Sequence, residues 1–176
     1  DGGMVMTDDP EVYRRLLMLR DYGRKDRYEH IIKGYNSRLD TVQAVILKAK
    51  LKHLDKWNHM RQENARVYGE HFAGRKEIIT PAVKNGRTHV YHVYGVRVKE
   101  RDRIYENIRR EGVGALIHYP IPLHLQSAYS ELGYKKGDFP VAEMVANEII
   151  SLPMHPFLKR QEMEFVVEQI SKQYTK

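Results

Sequence analysis

Apolar residues recur at helical spacing over several stretches of this chain and at strand spacing over others. The longest helical pattern covers residues 37–72, where Leu39, Val42, Ile46, Ala49, Leu54, Trp57 and Met60 repeat on one face. Residues 42–47 are apolar on more than one side, which predicts burial between two bodies such as two domains or two subunits. Residues 48–66 are more charged and are expected to be partly exposed. A kink near residues 55–58 is compatible with this pattern, although no proline forces a break. Earlier in the chain, Asp9 reads as a helix N-cap with Pro10 at the first helical position. Val12, Leu16 and Leu19 give that helix an apolar stripe, and Leu17 and Met18 widen it. Residues 3–7 read as the end of a buried strand. Residues 21–33 are charged, contain Gly23 and read as an exposed loop.

After Gly74 the pattern changes. Ile78, Ile79 and Thr80 form a short strand closed by Pro81, and Asn85-Gly86 is a turn signal. Residues 90–98 alternate and are β-branched or aromatic, which predicts a strand. Residues 101–111 form a helix with Ile104 and Ile108 on one face, stopped by Gly112. Residues 115–118 make a second short strand that runs into a proline-rich loop. Residues 141–150 and 160–174 are helices, the last with Met163, Val166, Val167, Ile170 and Tyr174 on one face. The order strand, helix, strand, helix, helix predicts a small α+β domain after residue 78. There is no internal repeat and no low-complexity tract.

Composition narrows the function classes. The 176 residues suffice for one domain with a sizeable core. With no cysteine, disulfides, thiolate metal sites and cysteine nucleophiles are excluded. No apolar run approaches a membrane span. The net charge of +7 is partly concentrated in Arg14, Arg15, Arg20, Arg24, Lys25, Arg27 and Lys33. That balance suits nucleic acid, acidic lipid or a phosphorylated small molecule, and equally a solvated surface.

Residues 33–40, Lys-Gly-Tyr-Asn-Ser-Arg-Leu-Asp, read as a glycine-hinged loop turning into a helix. Ser37 and Asp40 fit a capping box, with a shorter acid than usual. Free N–H groups and the positive helix end beside Asn36 and Arg38 suit a phosphate; an ordinary capped helix start has the same pattern. Among nine histidines, His89 and His92 fall on opposite faces of a predicted strand, and His53 and His59 do not share a helix face. His118 and His124 flank the rigid loop Tyr119-Pro120-Ile121-Pro122 and could converge, but lack a third metal ligand, so no metal site is assigned. The same loop presents imidazole and phenol groups at reduced entropic cost, which suits sugar hydroxyls or a pyrophosphate; a structural strand end with a packed tyrosine fits as well. Glu143 and Glu148 point away from each other on a predicted helix and are no glycosidase pair. No serine-hydrolase elbow, Walker loop or dinucleotide fingerprint occurs, and aromatic and basic residues are not interleaved as in RNA binders.

The 33–40 run, the Gln43-Ala44 pair and the stretch Leu51-Lys52-His53-Leu54-Asp55-Lys56-Trp57-Asn58 resemble the DegT/DnrJ/EryC1/StrS sugar aminotransferases. The resemblance continues through Thr88-His89-Val90-Tyr91-His92-Val93-Tyr94 and through Ile117-His118-Tyr119-Pro120-Ile121-Pro122-Leu123-His124-Leu125-Gln126. It ends with Phe139-Pro140-Val141-Ala142-Glu143 and Ser151-Leu152-Pro153-Met154-His155-Pro156, so the ordered set covers nearly the whole chain. These are pyridoxal-phosphate enzymes of fold type I that act on nucleotide-linked keto-sugars. In the family the Schiff-base lysine lies just upstream of an Asp-Gly-Gly run, and this chain opens on Asp1-Gly2-Gly3. The resemblance therefore implies a C-terminal portion with no catalytic residue of its own, inactive by itself.

The implied fold class is α/β: residues 1–36 a remnant of the large cofactor-binding domain, 37–74 a long linking helix, and 75–176 a small C-terminal α+β domain. The implied cofactor is pyridoxal 5'-phosphate, with Asn36 reaching the phosphate across a homodimer with shared active sites, and Arg38 and Tyr35 beside it. Lys33, His118, Tyr119 and His124 are implied on the substrate side. The implied partners are an amino-acid donor, usually glutamate, and a nucleotide-linked keto-sugar, with no nucleic acid and no membrane, in the cytoplasm. A non-catalytic regulatory relative of the same fold and a basic polyanion-binding module stay open beside this expectation.

Overall fold

A computed structural model describes residues 2–174. Asp1 of the Asp1-Gly2-Gly3 run lies outside the described residues. The chain divides into two compact units, Asp1–Leu54 and Asp55–Lys176. The fold is α/β, with six helices and three strands among the described residues.

In the first unit, α1 (Pro10–Leu19) starts as its sequence dictates. The Asp9 carboxylate accepts the N–H groups of Glu11 and Val12, and Pro10 occupies the first turn. Residues 3–7 form no strand: Met4 and Met6 are 83% exposed, and no neighbouring strand among the described residues offers them hydrogen bonds. Residues 21–33 are a largely exposed loop, but an ordered one. Gly23, at φ +75°, is buried, and a Cβ there would lie 1.7 Å from the Ile32 carbonyl oxygen.

The expected single helix over 37–72 is two helices, α2 (Thr41–Leu51) and α3 (Leu54–Phe72). They part at Lys52 and His53, where the His53 N–H bonds back only three residues, to Lys50 O at 2.9 Å. The break therefore precedes the expected kink at 55–58. The expected cap at Ser37 is also absent. Its N–H donates to Arg20 O at 2.8 Å, so the chain is still tied to the end of α1 there, and α2 begins after Asp40 without a side-chain cap. Val42 and Val45, in the stretch expected to be covered by a second domain or subunit, are 72% and 62% exposed on the single chain.

The second unit is built on an antiparallel sheet of order β1-β2-β3, formed by β1 (Ile78–Ile79), β2 (Tyr94–Val98) and β3 (Ile149–Leu152). Ile78 pairs with Val98, and Tyr94 with Leu152. Alternation sends Tyr94, Val96 and Val98 into the core, where they meet Tyr68 and Phe72 of α3, Ile104 and Ile108 of α4 (Arg101–Arg110), and Met163, Val166, Val167 and Ile170 of α6 (Arg160–Lys172). Gly95 and Arg97 take the opposite face. There Arg97 pairs with Glu148 at 2.7 Å and donates to Met144 Sδ, both on α5 (Pro140–Glu148).

Two expectations about this sheet change. Strand β2 begins at Tyr94 rather than at 90, because the His89 ring accepts the Tyr91 N–H at 2.7 Å and Tyr91 takes φ 48°, a local turn that competes with a ladder. The helix expected to reach 150 stops at Glu148, and Ile149–Leu152 forms β3 instead. Beside it, residues 115–118 supply one bridge, Leu116 to Ser151, rather than a strand. Three side chains of α3 fasten the segment that leaves β3: Tyr68 Oη donates to Pro153 O (3.1 Å), Arg61 Nη1 to Met154 O (2.7 Å) and Asn64 Nδ2 to His155 O (2.9 Å).

Candidate functional site

The sequence-predicted residues fall in two places, one in each unit. In the first, the backbone of Tyr35 is held on both sides. Its N–H donates to Leu19 O at 2.7 Å and its carbonyl accepts the Tyr22 N–H at 2.9 Å. Asn36 then bridges to Asp21. Gly34 permits this approach, since a Cβ on it would lie 2.1 Å from Gly23 N. The backbone is thus fixed while the side chains of Lys33, Tyr35, Asn36 and Arg38 stay exposed. Asn36 Oδ1 accepts from Arg38 Nε at 3.1 Å, and the Arg38 guanidinium lies over the Tyr22 ring at 5.7 Å. A guanidinium braced by an amide and an aromatic face is pre-organised for a phosphate or carboxylate.

The second place is an open cleft of about 880 Å³ on the face of the sheet turned away from the core. His118, Tyr119 and His124 all line it, with Ile121, Leu123, Phe139, Val141 and Ile149 among the apolar residues around them. The alternation of β3 produces this arrangement. Ile150 and Leu152 enter the core, while Ile149 lines the cleft and Ser151 holds His118 there. The His118–Tyr119 peptide bond is cis. Tyr119 is 71% exposed.

The two histidines share the cleft but are held by different partners. His118 Nδ1 lies 2.9 Å from Ser151 Oγ. His124 Nε2 lies 3.0 Å from Glu143 Oε1, and the same oxygen accepts the Gly137 N–H at 2.7 Å. The Gly137 N–H chiefly, aided by His124 and the Phe139 backbone and opposed by burial, holds the Glu143 carboxyl below the usual carboxylate range. No group of three or more metal-ligating side chains stands together among the described residues, and none of their helices is long and apolar enough to cross a membrane.

Sequence reasoning missed Ser151 and Glu143. Glu148 is taken up by Arg97. Glu143 falls within the run 139–143 that resembles the family, but nothing there marks it as a partner of His124. The available signal was its position, the sole acid in the first turn of α5.

The sequence model described as the DegT/DnrJ/EryC1/StrS aminotransferase family matches residues 1–171. The chain is 44% identical over 171 residues to the dTDP-3-amino-3,6-dideoxy-alpha-D-galactopyranose transaminase of Aneurinibacillus thermoaerophilus, covering 97% of this chain and 46% of that protein. It is 42% identical over 177 residues to the pleiotropic regulatory protein of Geobacillus stearothermophilus, covering 99% of this chain and 47% of the relative. Among solved structures, S. venezuelae DesV in complex with a ketimine intermediate superposes with a TM-score of 0.90 at 38% identity, over 97% of this chain and 46% of that one. The chain therefore spans about half the length of the relatives it matches.

Proposed function

The chain belongs to the DegT/DnrJ/EryC1/StrS aminotransferase family, and we propose on that footing that the complete protein transfers an amino group from an amino acid, glutamate first among them, to a keto-sugar carried on a nucleoside diphosphate. Its cofactor in this reading is pyridoxal 5'-phosphate, which when bound supplies the electron sink for the transfer. The residues of this chain fit that group. The Asn36 amide and the Arg38 guanidinium, 3.1 Å apart and exposed, would hold its phosphate, with Tyr35 beside them. In a homodimer with shared sites, this loop would serve the cofactor of the partner subunit. Lys33, His118, Tyr119 and His124 would act on the sugar side. His118 and Tyr119 supply hydrogen-bonding groups for hydroxyls, and the apolar side chains of the cleft around them offer a surface for the carbon face of a sugar ring. The proton-carrying lysine lies upstream of Asp1 in this reading, so the chain alone would not turn over.

The observation that carries the proposal is the braced Asn36–Arg38 pair, inside a sequence that matches the family over residues 1–171. It is tested by adding pyridoxal 5'-phosphate to the complete polypeptide, reducing with borohydride and mapping the labelled lysine by mass spectrometry. A label shortly before Asp1 is expected. A second reading, a regulatory protein of the same fold without transamination, draws on the 42% identity to the pleiotropic regulatory protein. It is favoured if no lysine is labelled.

A further inference from the structure

One carboxylate joins two separate segments of the cleft wall. Glu143, in the first turn of α5, accepts from His124 in the turn Leu123–Leu125 and from the N–H of Gly137 in the turn before α5. The fastening is sheltered: the His124 side chain is 8% exposed and that of Glu143 is 13%. Rings close it further, with His124 4.8 Å from Phe139 and Phe139 5.1 Å from Tyr134. A shielded carboxylate is tolerated only when donors satisfy it, and here two donors converge on one oxygen. An ionised carboxylate only accepts, so the 3.0 Å contact requires a proton on Nε2 of His124. Glu143 thereby excludes the tautomer that is bare at Nε2, as well as fixing the position of the ring.

We infer that Glu143 is a positioning residue of the cleft. It fixes His124 in the Nε2–H form, ties residues 118–126 to α5 and keeps His118 and Tyr119, at the head of the same loop, in place. The inference rests on the reading of this cleft as the sugar side. Its consequence is a division of labour between the two histidines. His118 is half-buried and held by Ser151 through Nδ1, which leaves its other ring nitrogen for a ligand. His124 is the fastener.

The test is a long-range 1H–15N spectrum of the histidine rings in the chain at neutral pH, with amide exchange measured at Gly137. The unsubstituted chain should show His124 protonated at Nε2. Glu143→Ala should mix the His124 tautomers, shift the His118 ring signals and speed Gly137 exchange about tenfold, the equivalent of one lost hydrogen bond to a charged group. Glu143→Gln keeps an acceptor and should restore most of the original spectrum. A bare Nε2 on His124 in the unsubstituted chain overturns the inference, and that reading needs no variant to fold. Unchanged His118 and His124 signals in Glu143→Ala overturn it as well. The spectra require neither cofactor nor sugar, so their outcome is separate from that of the borohydride label.

Discussion

Replacing Tyr68 by phenylalanine removes one oxygen from the centre of the second unit and nothing else. Tyr68 is fully buried, with its ring stacked on Tyr94 at 5.0 Å and on Phe72 at 6.2 Å. Phenylalanine keeps both stacks and leaves no cavity. What is lost is the bond from Tyr68 Oη to Pro153 O at 3.1 Å, which helps seat the segment leaving β3. A neutral buried hydrogen bond is worth about 1 kcal/mol net, and an unsatisfied carbonyl raises the cost to about 1–2 kcal/mol. Tyr68→Ala also forfeits the ring and should cost about 3–5 kcal/mol. With a urea m-value of about 2 kcal/mol/M, the phenylalanine variant should lower the midpoint by about half to one molar at unchanged m. Urea titration followed by far-ultraviolet circular dichroism reads this directly. An unshifted midpoint for Tyr68→Phe, or equal losses in the two variants, would refute the claim that the hydroxyl and the ring act separately.

Two further outcomes concern the buried tyrosines and the Gly23 turn. Burial first, and then neighbouring tyrosines, push the Tyr68 and Tyr94 phenols above their ordinary value of 10.0. Their folded pKa values exceed the unfolded ones, so their contribution is complete below about pH 10 and is lost as pH rises beyond it; urea midpoints should fall in that range, and less steeply in Tyr68→Phe. At Gly23, φ is +75° and an added Cβ would meet the Ile32 carbonyl oxygen, so Gly23→Ala should loosen the 21–36 loop and speed tryptic cleavage after Arg24, Lys25, Arg27 or Lys33 without moving the melting of the second unit.

Local chemistry made part of this fold legible in the sequence. Asp9 and Pro10 started α1, Gly112 ended α4, and the spacing of Met163, Val166, Val167 and Ile170 gave the buried face of α6, because each signal acts within a few residues. Strand β3 was hidden because Ile149 and Ile150 continue the apolar pattern of α5, and only pairing with β2 decides the backbone there. The end of α2 was hidden because neither Lys52 nor His53 is a breaker. The paired prolines marked the cleft loop, and its three expected residues do line one cavity. The pairings of Ser151 and Glu143 were hidden for a different reason. Their partners, His118 and His124, stand 33 and 19 residues away, and no periodicity links positions that only the tertiary fold brings together.

The pairing of β2 with β3 also sets an order of events during synthesis. Tyr94 must wait for Leu152, and Arg97 for Ile149, so the central strand gains its second neighbour only after the whole of 99–148 has emerged. Closing so long a loop is slow relative to local helix formation. Until then Val96, which ends fully buried, has no second strand beside it. A nascent chain halted between residues 98 and 149 therefore exposes a half-finished sheet edge, and that interval is when this unit is most open to aggregation or to a chaperone.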